Sequence, residues 1–211
     1  HGAWPHWLNG ANGEVVPFSP KDNGADLVET AFMIQGLIAV RQYISMNVPA
    51  EQALADRINT LWQEVEWEWF TKGGEEVLYW HWSPEFNWEM NHAIRGHNET
   101  LIVYLLAASS PTHSIDPSVY HKGYARDGEI KNGNSYYGVK LPLGEELGGP
   151  LFFSHYSFLG LDPRNLEDQY AIYWEQHVNH TRINKAYCFE NPKGYKGYGE
   201  ACWGLTASDN H

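Results

Sequence analysis

Residues 26–46, DLVETAFMIQGLIAVRQYISM, carry apolar side chains on nearly every face. Such a run predicts a helix enclosed on most sides, from Asp26 to about Met46, with Pro49 closing it. A second helix is expected over about 50–72, with its apolar stripe on Leu54, Ile58, Leu61, Trp62, Val65 and Trp69 and its stop at Gly73-Gly74. Two long helices joined by a short link form an antiparallel pair. Further helices are expected over about 98–109, 149–161 and 165–184, with a brief helical stretch near 117–125 and a short strand early in 75–95. The fold class that follows is all-α, built from helical hairpins laid side by side. Residues 112–150, rich in Gly, Asn, Tyr and Pro, read as a long loop of the kind that carries function.

Acidic residues outnumber Lys and Arg by 26 to 14. The resulting negative field repels phosphate backbones and anionic membrane surfaces, so nucleic acid is not expected as a partner. No run approaches the roughly 20 apolar residues of a membrane span, so membrane insertion is not expected either. The chain starts at His1 and shows no signal segment. Ten Trp and thirteen Tyr, many beside His, Asn and Glu, suit a wet cleft whose ligand has both C–H faces and hydroxyls, as a sugar does. The eleven His include no HExxH or comparable ligand spacing, so no metal and no cofactor is expected. GxSxG, P-loop and GxGxxG motifs are absent. Cys188 and Cys202 read as buried free thiols or, in an exported protein, as one disulfide.

Asp22, Asp26 and Glu29 stand at i, i+4 and i+7 and share one face if the helix extends back to Asp22. That face continues through Met33, Gly36 and Val40, and crowded acids at its head would raise one another's pKa towards proton-transfer values. Asp26-x-x-Glu29 also reads as a capping box, and sequence spacing leaves both roles open. Glu99 opens the third helix inside the polar patch Asn91, His92, Arg95, His97 and Asn98, where Arg95 is its candidate ion-pair partner. Trp80, His81 and Trp82 alternate rings with a directional hydrogen-bonding group and serve equally as sugar platform or core. His155 and the group Glu190, Tyr198, Glu200, Trp203 and Asp209 are further candidates. The sequons at Asn98 and Asn179 fall in expected helices and are discounted as glycosylation sites.

Taken together, the strings HGAWPHW (1–7), PFSPKDNGADLVETAFMIQGL (17–37), YWHWSPEFNWEMN (79–91), RGHNE (95–99), GGPLFFSHYSFLGLDPR (148–164), YWEQHVNHTRINKAYCFENP (173–192) and YGEACWGLTASDN (198–210) resemble bacterial endo-β-1,2-glucanases of the glucoamylase-like glycoside hydrolase group, related to a domain of cyclic β-1,2-glucan synthases. The resemblance implies an (α/α)6 toroid, a periplasmic or extracellular location, and inverting endo-cleavage of β-1,2-glucan by carboxylate general acid/base catalysis. It implies essential acids at Asp22, Asp26, Glu29 and Glu99, with Glu99 as general acid. Trp80, His81, Trp82, Asn91, Arg95, His97, His155 and Trp203 are the expected substrate contacts. Residues 1–211 read as a single catalytic domain lacking its C-terminal part, and the protein as a monomer or a chain needing that missing half. A non-catalytic glycan-binding subunit, or a phosphorylase or transglycosylase on the same fold, stays open. An inverting site needs a second carboxylate about 6.5–9.5 Å from the acid.

Overall fold

The computed structural model describes residues 1–44 and 48–207. The expected helix end at Met46 and the candidate Asp209 lie outside the described residues. The chain divides into two compact units: His1–Arg95 with Thr100–Tyr124, and Gly96–Glu99 with Ala125–His211. Helices are the main regular elements, and the strands are antiparallel pairs of two residues each. Among the described residues no helix is long and apolar enough to cross a membrane.

In the first unit β1 (Trp7–Leu8) pairs with β2 (Val15–Val16), and β3 (Ala25–Asp26) runs straight into α1 (Leu27–Tyr43). Asp26 caps α1, its Oδ1 accepting the amides of Val28 and Glu29 at 3.0 Å each. The capping box is only half formed, because the Asp26 amide donates to the Trp4 carbonyl at 2.7 Å. Glu29 in the first turn and Arg41 in the last both complement the helix dipole. Instead of being enclosed on most sides, α1 buries Leu27, Val28, Thr30, Ala31, Ile34 and Gln35 and leaves Met33, Gly36 and Val40 exposed. It packs against α2 (Pro49–Gln63) and α3 (Leu101–Ser109). Pro49, expected to end the first helix, occupies the first turn of α2, where a missing amide proton costs nothing.

The second helix is shorter than its apolar pattern suggests. It ends at Gln63 because the amide of Glu66 turns to the His1 carbonyl at 3.1 Å, and a 3₁₀ turn over Trp67–Thr71 follows. Gly2 makes that meeting of segments possible: a Cβ there would lie 2.0 Å from the Glu64 carbonyl oxygen. Leu54 and Trp69 of the expected stripe are exposed, while Ala55, Ile58 and Val65 are buried. β4 (His81–Trp82) pairs with β3, setting Asp26 opposite His81 and Ala25 opposite Trp82. α3 starts at Leu101, three residues after the expected Asn98, and ends before Pro111, which disfavours helical backbone at Ser110. Inside it Tyr104 donates to the Ile94 carbonyl and accepts the Leu78 amide. The helical stretch near 117–125 is a π turn over Val119–Tyr124.

In the second unit the expected long loop is largely ordered. β5 (Ser135–Tyr136) and β6 (Val139–Lys140) form a hairpin closed by Tyr137 and Gly138, both at positive φ. Leu141 and Leu143 just after it are buried. The helix expected over 149–161 breaks into α4 (Phe152–His155) and a 3₁₀ turn over Tyr156–Phe158. The one expected over 165–184 is α5 (Tyr173–Glu190). Its start is delayed because the Asp168 carboxylate accepts the amides of Tyr170 and Ala171, and Glu167 pairs back to Ile172. Both cysteines are free thiols, but only Cys188 is buried, burial pushing its pKa up; Cys202 is exposed.

Candidate active site

Asp22 is not on α1. A tight turn, in which the Asp22 amide donates to Ser19 and its carbonyl accepts the Phe18 amide, both at 3.0 Å, delivers it to the foot of β3. The i, i+4 spacing thus brings Asp22 and Asp26 together through a turn and a short strand, not a helical face. Their side chains are 3% and 0% exposed as residues. His81, placed opposite Asp26 by the β3–β4 register, presents Nδ1 at 3.2 Å from Asp22 Oδ1 and 3.9 Å from Asp26 Oδ2. Asp22 Oδ2 is buried without a hydrogen-bond partner among the described residues. A buried carboxylate oxygen in that condition is costly in a purely structural cluster and useful in one that awaits a ligand.

His6 completes the arrangement, its Nδ1 2.8 Å from Asp26 Oδ2. Sequence reasoning missed it, because His6 lies in the irregular lead-in and shares no periodic element with Asp26; its place in HGAWPHW is the signal that could have pointed there. Burial raises the pKa of Asp22, with the Asp26 charge adding to the effect and His81 opposing it. Burial also raises Glu29, again helped by Asp26. Burial lowers His81, against the pull of the two aspartates. For Asp22, Glu29 and His81 burial thus works against the charged form, a pattern found where proton transfer is needed. One ligating atom each from Asp22, Asp26 and His81 lies within 4.8 Å of the others, a set that could hold a cation. With Asp26 already bonded to His6 and to the α1 amides, the observed arrangement is a hydrogen-bonded acid cluster.

Of the other expected residues of the first unit, Trp80 neighbours the cluster, its ring 5.8 Å from that of His81. Trp80 stacks on His92 at 4.9 Å between ring centres, and Trp82 meets His1 edge-on at 5.2 Å. Asn91 is exposed and accepts a hydrogen bond from Lys72. Arg95 donates to the Lys122 carbonyl. In the second unit Glu99 lies in the turn ahead of Thr100, with its carbonyl accepting the Ser157 hydroxyl at 2.7 Å. His97 is buried, and burial pushes its pKa down to about 3. Its Nε2 lies 3.2 Å from Ser154 Oγ, which is itself 2.8 Å from His180 Nδ1. His155 bonds to Thr181, and burial beside His177 pushes it down to about 4. Trp203 is exposed, with Lys185 over its ring.

Over its whole length this chain is similar to proteins whose substrate is known. It is 46% identical to an exo-β-1,2-glucooligosaccharide sophorohydrolase (non-reducing end) of Parabacteroides distasonis, over 99% of this chain and 32% of that protein. It is 57% identical to a solved endo-β-1,2-glucanase of Chitinophaga pinensis in complex with sophorotriose and glucose, with a TM-score of 0.95 over 100% of this chain and 51% of that one. The corresponding figures for a β-1,2-glucanase structure from Parabacteroides distasonis are 45%, 0.95, 100% and 33%. The chain therefore spans about a third of the length of the curated relative it matches. These homologues are glycoside hydrolases of β-1,2-linked glucans. The sequence model of the Glycoamylase family matches residues 91–211, more than half of the chain, and the chain belongs to that family.

Proposed function

We propose that the full-length protein is an exported glycoside hydrolase that cleaves β-1,2-glucan internally with inversion, on an (α/α)6 toroid to which the helices described above contribute. Glu99 gives its proton to the departing glycosidic oxygen, directly or through a water or a sugar hydroxyl. Asp22, Asp26 and Glu29 hold and polarise the sugar or the attacking water. Trp80, His81 and Trp82 line the site as rings and donors around the acids. The observation that carries this reading is the buried Asp22–Asp26 pair with one unsatisfied carboxylate oxygen. A protein interior tolerates such a pair where a hydroxylated ligand or water completes its bonding. The greater identity to the endo-acting relative than to the exo-acting one favours internal cleavage.

Incubation of the full-length protein with linear β-1,2-glucan tests this. The wild type is expected to release a spread of oligosaccharides whose new reducing ends appear first as the α anomer by proton NMR. Glu99→Gln and Asp26→Asn are each expected to slow release by about 10²–10⁴-fold while remaining folded. Wild-type rates in both folded variants end the site assignment. Sophorose as the sole early product shows exo cleavage, and turnover that requires phosphate shows a phosphorylase.

A further inference from the structure

The β1–β2 hairpin and the turn after it expose more apolar surface than a two-residue strand pair needs. Trp7, Leu8, Val15 and Val16 are all exposed, and Trp7 and Phe18 are 50% and 54% accessible. Their rings lie 5.1 Å apart at 54°, an open corner rather than a packed stack. His6 closes the base of this corner, 5.1 Å from Trp7 and 4.4 Å from Phe18. The same imidazole bonds to Asp26, and the Phe18 amide bonds to the Asp22 carbonyl. Both rings thus pack against an imidazole that is itself bonded to Asp26, and the Phe18 backbone is bonded to that of Asp22.

We propose that Trp7 and Phe18 form a sugar-stacking subsite, occupied by one glucopyranose ring of a β-1,2-linked glucan next to Asp26. The inference rests on the hydrolase reading above and adds to it the residues that hold the neighbouring ring. A glucopyranose presents C–H groups on its faces and hydroxyls on its rim. Stacked on either ring of the corner, it loses apolar hydration on that face and brings the hydroxyls of its rim within reach of the part-exposed His6, whose ring is bonded to Asp26. Exposed aromatic surface gathered in one place, and braced rather than loose, fits a ligand of that chemistry.

The test uses the full-length protein and linear β-1,2-gluco-oligosaccharides, with binding measured calorimetrically in a Glu99→Gln background and KM and kcat measured in the native one. Trp7→Ala and Phe18→Ala are each expected to weaken binding roughly tenfold, the size of one lost ring contact. The loss should appear in KM while kcat changes little. Trp7→Phe and Phe18→Tyr keep a ring and should restore most of the affinity, which separates stacking from misfolding. Unchanged affinity in both alanine variants overturns the subsite and leaves the hydrolase reading standing. Unchanged affinity with a lowered melting temperature means that the rings are covered by protein, and overturns it too. Binding that depends on the rings, without any hydrolysis by the wild type, overturns only the hydrolase reading. A wild type that neither binds nor cleaves the oligosaccharides removes both.

Discussion

In the first unit Asp22, Asp26 and His81 are brought together with one carboxylate oxygen unsatisfied and with His81 Nδ1 3.2 and 3.9 Å from the two acids. In the second, His97, Ser154, Gln176 and His180 are just as well hidden, yet their bonds interlock. Ser154 Oγ meets both His180 and His97; His180 Nε2 reaches the Gly149 carbonyl; Gln176 bonds both the amide and the carbonyl of Leu143. A serine beside a histidine invites a nucleophile reading, but Ser154 Oγ is held between His97 and His180, and His180 Nε2 is bound to the Gly149 carbonyl, so the pair keeps no open bond for a substrate. The contrast teaches that burial of polar groups does not distinguish a site from a core. Completion of their hydrogen bonds does: the second cluster specifies packing, and the first retains bonding capacity for something else.

The largest expected break in this comparison comes from removing one group on each side. Asp22→Asn should lower kcat/KM on β-1,2-glucan by about 10²–10⁴-fold with little change in the denaturation midpoint. Ser154→Ala should leave the rate nearly intact and cost about 1–3 kcal/mol of stability, since the ring nitrogens of two buried histidines lose their hydroxyl partner. Parallel rate and urea-denaturation measurements decide it; a stability loss in the first variant larger than in the second would reverse the assignment. A loss of stability alone is expected at Gly148, whose φ of +93° and whose would-be Cβ, 2.3 Å from His180 Cδ2, leave no room for a side chain. Gly148→Ala should destabilise by about 2–4 kcal/mol through strain and overpacking, read as a lowered melting temperature.

The most gradual expected effect is in pH. His97 and His155 are held at about 3 and about 4, against 6.5 for an unhindered imidazole. Between those values and 6.5 the unfolded chain binds protons that the folded one refuses. Their contribution to stability is therefore full at neutral pH and is lost as pH falls, with a slope of at most about 1.4 kcal/mol per pH unit for buried His97 and less for His155. In the first unit the raised Asp22 acts in the opposite sense and the lowered His81 in the same sense. Urea midpoints from pH 7 to 4 should fall in the wild type and fall less in His97→Gln.

Much of this was legible before any coordinates. The helix from Asp26 and the apolar run of α3 follow from periodicity and caps, because those signals are local. The errors lie where distant segments or competing local turns intervene. His1 ends α2 early, and the Asp168 turn moves the start of α5 to Tyr173. The grouping of Asp22 with Asp26 was anticipated, but the turn at 19–22 that produces it was not. His81 and His6 reach Asp26 from far along the chain, through a strand register and a side-chain bond that no spacing rule encodes.

Asp26 starts α1 with one oxygen and meets His6 with the other. Under the proposed mechanism, folding and chemistry therefore place separate demands on the same carboxyl group. Only Asp, Asn, Ser and Thr satisfy the first of these well. A descendant that abandoned glycan turnover would be expected to drift at Asp26 towards Asn, Ser or Thr and not towards an aliphatic side chain, so an inactive relative could still carry the outline of the site.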